Sequence, residues 1–407
     1  MRNLLSRFSI VSAVFISALS VLSSCEKESS EADGLALQRV DSFFGKPCQM
    51  TKSQLEMNDE VNSFTFDLFN RLREDGKDIF ISPLSLSLAL SMLTTGAEGR
   101  TEAELLKALG FEDRTKEELD GYFSLVSSRF STADPSVVAT SANALWPDES
   151  LKLNDGFVSD CSRYFDADVI SVDYSDEEGT MDRMNAWSSE HTNGRIPMMV
   201  TEPLGGPMAL TNAVYLNAKW SFDFEESEGR LMARLRTLYA ENKDMEVVWL
   251  PYGGGIYALA VIRSKKRSGQ LAITKASWDD LVSKTHTADV SVVIPSFRNE
   301  WERDLVETFK AMGVHDAFTP FADFSSMSPT SLLVSTISHK TFINVDQKGT
   351  EAAAVTVIGM TFGAAGPIKE PEYPQVRFTA DGDFTYLIAD RVTGTILFIG
   401  QHSAQAR

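Results

Sequence analysis

Histidine and cysteine side chains are the groups most able to act as bases, nucleophiles or metal ligands, and this chain has few of them. Its 407 residues include five histidines and three cysteines. The sequence contains no G-x-S-x-G nucleophile elbow, no zinc-binding H-E-x-x-H, no phosphate-binding loop and no dinucleotide-binding fingerprint. Cys25, Cys48 and Cys161 lack metal-ligand spacing. We therefore expect a protein that is not an enzyme and that uses no metal or cofactor.

A run of small residues near the carboxy terminus has the most informative spacing. Residues 349–356, called the hinge below, follow a predicted strand, and alternate side chains of a strand face opposite sides. One face would hold small side chains only: Thr350, Ala352, Ala354 and Thr356. The other would hold Glu351, Ala353 and Val355. This pattern suits a strand that must enter an already packed sheet without overpacking the core.

A long loop follows the hinge. Its turn-forming residues exclude an ordinary helix or central strand, and they are Gly363, Gly366, Pro367, Pro371 and Pro374. Loops of this length within a compact domain are usually functional or disordered. The alternative is an ordinary surface excursion, which does not account for the small residues of the hinge.

Several motifs resemble those of the serpin family. The sequence DQKGTEAAAVT, which begins at Asp346 and contains Gly349, is similar to the proximal hinge of the serpin reactive-centre loop. Residues 378–400 resemble the carboxy-terminal serpin signature. Further matches are spread along the chain, at 78–101, 184–196, 209–220, 250–262, 316–325 and 337–348. The resemblance extends from about residue 60 to residue 401, without an internal repeat or a domain linker.

The resemblance implies an α+β serpin fold. We expect a single domain with a large central, mostly antiparallel sheet, smaller sheets and about eight or nine helices. An exposed reactive-centre loop would occupy about residues 349–377. The sequence departs from the family in two places. The chain is short by about a hairpin between Phe224 and Leu250, and Gly382-Asp383 replaces the usual His-Pro.

The activity that the resemblance implies is suicide-substrate inhibition of serine proteases, with cysteine proteases as a further target class. A target protease attacks a peptide bond of the loop, and the acyl-enzyme is trapped when the cleaved loop inserts into the main sheet. The first alternative is a serpin-fold surface lipoprotein with a binding or structural role and no inhibitory activity. A surface hydrolase is a further alternative, and the lack of catalytic motifs counts against it.

The reactive bond has three candidate positions. Counting forward from the hinge as in serpins places it at Gly363–Ala364. Because glycine offers no side chain to a protease pocket, we prefer Phe362–Gly363, with Met360–Thr361 as the alternative. No Arg or Lys occurs between Gly349 and Pro367. Chymotrypsin-, elastase- or cathepsin-like targets are therefore favoured over trypsin-like ones.

The resemblance also assigns structural residues along the path of insertion. His339 lies at the serpin shutter position, where it would join neighbouring strands by hydrogen bonds together with Asn185 and with Ser82 or Ser85. Trp220 would lie in the breach, at the top of the main sheet, where the loop first enters. The alternative for His339 is an ordinary core histidine with satisfied hydrogen bonds.

The amino terminus has the features of an exported lipoprotein. Arg2 and Arg7 precede a short apolar stretch, and Leu22-Ser23-Ser24-Cys25 resembles a bacterial lipobox. This resemblance predicts lipidation of Cys25. Acyl chains add roughly 0.8 kcal/mol of membrane affinity per buried CH₂, so several chains would anchor the protein stably. A signal peptide cut nearby, with Cys25 incidental, is the alternative.

These features divide the chain into a signal peptide at 1–24, a lipidated cysteine with a polar tether at 25–57, and a serpin domain at 58–407. The expected location is the bacterial cell envelope, on the outer membrane, the cell surface or the periplasmic face. Cys48 and Cys161 are expected as unpaired thiols. The net charge of −19 opposes nucleic-acid binding. We expect a monomer.

Periodicity predicts the elements that position these residues. An amphipathic helix is expected at Asp59–Arg73, and an apolar helix capped by Ser82 from Pro83 to Leu93. A capping box at Thr101–Glu104 predicts a helix start, and a further helix is expected at Trp301–Met312.

Overall fold

The computed structural model describes residues 31–40, 48–266, 272–350 and 371–404, and these form an α+β fold, as predicted. The eight α-helices within these ranges are α1 (Lys52–Leu72), α2 (Pro83–Gly96), α3 (Gly99–Leu109), α4 (Lys116–Thr132), α5 (Asp155–Phe165), α6 (Glu177–His191), α7 (Lys275–Ser283) and α8 (Val306–Ala311). The strands described are β1 (Leu37–Arg39), β2 (Ile79–Ile81), β3 (Val137–Pro147), β4 (Ala167–Val169), β5 (Met208–Lys219), β6 (Glu225–Ser227), β7 (Arg230–Glu241), β8 (Met245–Pro251), β9 (Tyr257–Ser264), β10 (His286–Pro295), β11 (Phe297–Asp304), β12 (Thr336–Asp346), β13 (Gly349–Thr350), β14 (Gln375–Thr379), β15 (Phe384–Asp390) and β16 (Ile396–His402).

The central sheet has six strands in the order β11-β12-β13-β5-β3-β4. Its pairings are antiparallel except for β12 with β5 and β3 with β4. β5 is apolar on both faces because each face lies in a hydrophobic cluster. Leu210 is buried in the main core, and Ala213, which faces the opposite way, is buried in a second cluster with Met184 and Trp187 of α6. The expected large, mostly antiparallel sheet is confirmed.

The strands expected in smaller sheets form one ten-stranded sheet, called the second sheet below. Its main order is β14-β10-β7-β8-β9-β15-β16-β2, with β1 and β6 also paired to β7. The short region between Phe224 and Leu250 contributes β6, β7 and most of β8 to this sheet. β14, at the carboxy-terminal end of the predicted loop, is at one end of the strand order.

Helix α2 fills the space between the two sheets. The Ser82 hydroxyl accepts a hydrogen bond from the Ser85 backbone N–H, and Pro83 occupies the first turn, where no N–H is needed. Leucines around the whole circumference are buried, as the all-round apolar sequence predicted. The Ser82 end of this helix therefore lies in the core, beneath the central sheet.

Two helix predictions are wrong in their bounds. Helix α1 begins seven residues earlier than Asp59, at Lys52, because Thr51 and Gln54 form an unrecognised capping box. The predicted capping box at Thr101–Glu104 is not formed, since α3 already begins at Gly99. Instead, the Thr101 hydroxyl accepts a hydrogen bond from the Asp323 N–H at 2.9 Å.

The helix predicted at Trp301–Met312 forms only in its second half, and its first four residues belong to a strand. β11 covers Phe297–Asp304, and only Val306–Ala311 is helical. Phe297 and Asn299 are buried while Arg298 and Glu300 are exposed, so the start of β11 has the alternation of an edge strand. Pairing with β12 along its whole length overrides the helical propensity of this stretch.

The polar tether predicted for residues 25–57 is too long. A 3₁₀ turn at Glu31–Gly34 and strand β1 already belong to the fold, and α1 begins at Lys52. Cys25 lies outside the described residues. Among the residues that the structure describes, no helix combines the length and apolar character needed to cross a membrane.

Candidate functional site

The start of the hinge lies inside the central sheet. β13 is antiparallel to both neighbours, with Thr350 opposite Val345 of β12 and opposite Ala218 of β5. Gly349 has a φ of 148°, and a Cβ atom there would lie 2.1 Å from the Ala218 carbonyl oxygen. Glycine is therefore required at this position, because both the backbone conformation and the close approach exclude a side chain.

Thr350 is 1% exposed, and its hydroxyl lies 2.5 Å from the hydroxyl of Tyr252. The Tyr252 ring stacks on Trp220, with ring centroids 4.4 Å apart. Burial raises the pKa of Tyr252, so its hydroxyl stays protonated and available for this contact. The sequence predictions did not include Tyr252; its only signal was the Leu250-Pro251-Tyr252 motif.

Trp220 lies where the chain enters the sheet, the position that the resemblance implied. Its indole Nε1 donates to the Asp346 carbonyl at 2.9 Å, and its backbone N–H donates to the Lys348 carbonyl at 3.3 Å. Trp220 thus holds the turn that leads from β12 into β13.

Below β13 the two flanking strands pair with each other. β12 and β5 run parallel, in a register from Thr336 opposite Ala209 to Thr341 opposite Val214. β13 lies between the same two strands farther along, at Val345 and Ala218. The central sheet is therefore closed at one end and already parted at the other.

A buried polar network joins β12, β5 and α2 within the closed part. His339 and Asn212 are direct partners in the register, and His339 Nδ1 donates to Asn212 Oδ1 at 2.7 Å. His339 Nε2 accepts from the Ser82 N–H at 3.1 Å. Burial lowers the pKa of His339 to about 3, so the ring is neutral, and these two contacts set which nitrogen carries the proton.

Asn212 extends the network towards the helix. Its Nδ2 donates to Ser85 Oγ at 2.5 Å and to Asn143 Oδ1 at 2.8 Å. Ser85 Oγ also forms a short hydrogen bond with Ser141 Oγ. Ser82 Oγ donates to the Leu397 carbonyl at 2.8 Å. The structure thus brings Ser82, Ser85 and His339 together, as the resemblance implied.

The assignment of Asn185 to this network is wrong. Asn185 lies on α6, where its Oδ1 accepts from the N–H groups of Met199 and Val200 at 2.7 and 2.8 Å. It supports the chain segment after α6, and Asn212 takes the predicted role. The available signal was an asparagine in the middle of the apolar strand sequence ALTNAVYL, since a buried amide there requires partners.

The far end of the loop is fastened to the second sheet. The Arg236 guanidinium lies 4.2 Å from the Tyr373 ring centroid and forms a bidentate ion pair with Asp289. Gln375 Nε2 donates to Asp289 Oδ2 at 3.0 Å. The predicted loop at 349–377 is correspondingly shorter, because its first two and last three residues belong to strands.

The remaining predicted site residues lie outside the described residues. These are the hinge residues Glu351, Ala352, Ala353, Ala354, Val355 and Thr356, and the reactive-bond candidates Met360, Thr361, Phe362, Gly363 and Ala364. Cys48 and Cys161 are free thiols. No group of side chains suited to a metal ion occurs within the part of the chain that the structure describes.

Comparisons with known proteins agree with this geometry. The family description "Serpin (serine protease inhibitor)" matches residues 59–404. An uncharacterized serpin-like protein of Thermococcus kodakarensis is 32% identical over 363 residues, covering 84% of each chain. Human neuroserpin is 28% identical, covering 84% of this chain and 90% of its own.

Solved structures show the same fold. The native state of the thermophilic serpin tengpin superposes with a TM-score of 0.75 at 25% identity, covering 92% of this chain and 99% of that one. Thyroxine-binding globulin in complex with thyroxine gives a TM-score of 0.74 at 24% identity, covering 85% and 98%. The family match, together with a central sheet already parted at the hinge, leads to one conclusion: this chain belongs to the serpin family.

Proposed function

We propose that the protein inhibits proteases by acting as a suicide substrate. A serine or cysteine of the target attacks a peptide bond of the loop and forms an acyl-enzyme, a covalent intermediate that water would normally hydrolyse. The cleaved loop then continues β13 between β12 and β5. The attached protease is pulled along before hydrolysis is complete.

The observation that carries this proposal is the position of Gly349 and Thr350 between β12 and β5. These two residues already have the direction and the neighbours of an inserted strand. Further insertion would replace the parallel β12–β5 pairing, which ends at Thr341 and Val214, by two antiparallel ladders. Antiparallel pairing is slightly more stable per residue than parallel pairing, so replacing the parallel ladder with antiparallel ones favours insertion.

The free energy of insertion comes from new backbone hydrogen bonds. A strand of hinge length paired on both sides adds on the order of ten hydrogen bonds, or about 10 kcal/mol at 0.5–1.5 kcal/mol each. The uncleaved state is then metastable, and cleavage releases the stored free energy. Because loss of one oxyanion-hole donor slows a protease about 10²–10³-fold, distorting its active site during insertion would stall deacylation.

The polar network fits a sheet that must open. The hydrogen bond between His339 and Asn212 crosses from β12 to β5. It must break when a strand enters. The bonds from the Ser82 N–H to His339 Nε2 and from Asn212 Nδ2 to Ser85 Oγ can persist, so both side chains stay attached to the amino-terminal end of α2.

Target choice and location rest on the sequence. The proposed reactive bond is Phe362–Gly363, with Gly363–Ala364 and Met360–Thr361 as alternatives, so the proposed targets are chymotrypsin-, elastase- or cathepsin-like proteases. Lipidation at Cys25 would hold the inhibitor at the bacterial cell envelope as a monomer.

Incubation of the chain from Glu26 onward with a chymotrypsin-like and an elastase-like protease tests this proposal. We expect a covalent complex that survives denaturing electrophoresis, and mass spectrometry of the released carboxy-terminal peptide would identify the cleaved bond. Clean cleavage of the loop by both proteases, with no complex and no gain in stability, would refute the inhibitory function.

A second candidate function is the binding of a small amphipathic ligand without inhibition. A cavity of about 380 Å³ lies between α1, α7 and the second sheet. Its apolar side includes Trp249 and Trp278, whose ring centroids are 5.9 Å apart, and its polar side includes Lys275 and Asp279. Titration with an apolar fluorescent dye, read as quenching of tryptophan emission, would support this function if Trp278→Ala abolished saturable binding.

A further inference from the structure

The described amino-terminal segment Glu31–Val40, called the clamp below, is built into the second sheet. Leu37–Arg39 pairs in parallel with Arg234–Arg236 of β7. The Val40 N–H donates to the Arg236 carbonyl at 3.0 Å. Ala32 is 0% and Val40 6% exposed, so both ends of the clamp are packed against the domain.

The clamp completes an edge of β7 that other strands leave open. β10 pairs along one edge of β7. On the other edge β6 pairs up to Met232 and β8 pairs from Tyr239, and β1 lies between them. This stretch of β7 includes Leu235, which is fully buried, so its backbone groups would otherwise need other partners. The amino terminus thus supplies a strand where the Phe224–Leu250 region is short.

Side chains fix the clamp at two further points. The Gln38 amide donates to the Asp223 carbonyl at 2.8 Å and accepts from the Asp223 N–H at 2.8 Å, an arrangement that resembles one rung of a strand pair. Arg230 Nη1 donates to Glu31 Oε1 at 2.6 Å. The clamp therefore has a defined position over both β7 and the chain that precedes β6.

The clamp also reaches the strand at the far end of the loop. Arg377 of β14 donates through Nε to Asp33 Oδ2 at 2.6 Å. β14 is an edge strand, and among the residues described here its backbone pairs with β10 alone. The ion pair with Asp33 thus connects an edge strand to a segment of the chain that precedes it by more than 300 residues.

We infer that the clamp retains β14 on the second sheet and thereby hinders insertion of the uncleaved loop. An intact loop is attached at both ends, so deep insertion from β13 would require β14 to leave β10. Cleavage removes this requirement, and the clamp then has no effect on insertion. The retention of β14 follows from the contacts above, whereas the effect on insertion rests on the proposed inhibitory function.

Hydrogen–deuterium exchange of the backbone of Gln375–Thr379 tests the retention. In the chain from Glu26 onward, Asp33→Asn should speed exchange about two- to fivefold, the scale of a partly exposed ion pair. Gln38→Ala should act in the same direction. Asp67→Asn is the matched control, because it removes an exposed Asp–Arg pair from α1, where Arg71 Nε lies 3.0 Å from Asp67 Oδ2.

A chain that starts at Asp41 lacks the clamp and should show at least about tenfold faster exchange in β14. Should truncation prevent folding, Asp33→Asn and Gln38→Ala decide the question alone. Exchange in β14 that is the same in Asp33→Asn, Gln38→Ala, Asp67→Asn and the unaltered chain would overturn the inference.

The effect on insertion is measured on uncleaved chains, and protease is added only to samples taken after warming. Uncleaved chains are warmed, and conversion to a form that resists urea and no longer traps protease is followed with time. We expect the order unaltered chain, Asp33→Asn, truncated chain, from slowest to fastest. If the variants exchange faster in β14 but do not convert faster, the inference that the clamp hinders insertion of the uncleaved loop is wrong. An unaltered chain that traps no protease, yet shows the exchange effect, would refute the proposed function and support the retention of β14.

Discussion

The two ends of the loop are held in opposite ways. At the proximal end Thr350 is enclosed between β12 and β5, and its backbone is paired on both sides. At the distal end β14 is an edge strand that side chains fasten, through Arg236 beneath Tyr373, Gln375 on Asp289 and Arg377 on Asp33. One end has begun to insert, and the other is tied to a different sheet.

This difference explains how the start of the loop can already lie in the central sheet while its far end opposes further insertion. In sequence, the hinge residues that would follow Thr350 on the same face of the strand are small, namely Ala352, Ala354 and Thr356. The distal contacts are polar and lie partly at the surface, so they resist displacement without burying the loop. Cleavage between the two ends would release the proximal end while leaving β14 in place.

The largest expected effect comes from placing a charge at the proximal end. Thr350→Arg would require an unpaired guanidinium in a fully buried site, which costs several kcal/mol. We expect at least about 100-fold less covalent complex, with the loop cleaved as an ordinary substrate. The amount of inhibitor consumed per protease inactivated measures this. Thr350→Ser, which retains the hydroxyl, is the control. Equal trapping by Thr350→Arg would show that trapping does not require this residue to be buried in the sheet.

At the distal end, Arg236→Ala should destabilise the fold by about 3 kcal/mol, because Asp289 would lose its buried partner. Hydrogen bonding to Arg236 holds the pKa of Asp289 below its usual value, so the carboxylate is charged. Urea unfolding checks this, with Arg71→Ala at an exposed pair as the control. A loss no larger than that of the control would mean that the distal attachment does not depend on this ion pair.

The network below the hinge predicts a pH dependence. Burial lowers the pKa of His339 to about 3, so the unfolded chain binds the extra proton between that value and about 6.5. Stability from this group is complete above pH 6.5 and is lost as the pH falls, by about 2 kcal/mol between pH 7 and pH 5. His339→Gln can keep both hydrogen bonds without titrating, so urea unfolding of this variant should lack that part of the decline. If the stability of the unaltered chain and of His339→Gln falls equally between pH 7 and pH 5, His339 is not a buried neutral histidine.

The smallest effect is expected for Tyr252→Phe, which removes the hydroxyl that contacts Thr350. One hydrogen bond contributes about 1 kcal/mol, so the uncleaved form should lose roughly that much in urea unfolding. Trapping of protease should remain, because the ring still stacks on Trp220. Loss of trapping would instead assign Tyr252 a direct part in loop insertion.

Local patterns in the sequence predicted much of this arrangement. Ser82-Pro83 indicated the start of α2, and the strand predicted for the hinge is present in its two described residues, Gly349 and Thr350. The wrong predictions occurred where a local sequence pattern was overridden by contacts with residues far away in the sequence. The stretch at Trp301 has helical propensity, but pairing with β12 makes it a strand. The Thr101 hydroxyl accepts a hydrogen bond from the Asp323 N–H and does not cap its own helix.

The network around His339 shows the same limit. Motif resemblance placed His339 and Ser82 correctly but selected Asn185, because sequence alone does not give the register of β12 against β5. That register brings His339 opposite Asn212. The pairing of β1 with β7 could not be predicted either, because parallel pairing between residues 37 and 234 produces no local sequence pattern.

The central claim, that the loop can complete the central sheet, is tested most directly by thermal unfolding before and after loop cleavage. A non-target protease would cut the loop, and mass spectrometry would verify that both fragments remain associated. At about 10 kcal/mol of added stability we predict a rise of roughly 15 °C in the unfolding midpoint. The same cut in Thr350→Arg should give a much smaller rise. Midpoints of intact and cleaved protein that agree within about 2 °C would contradict the account.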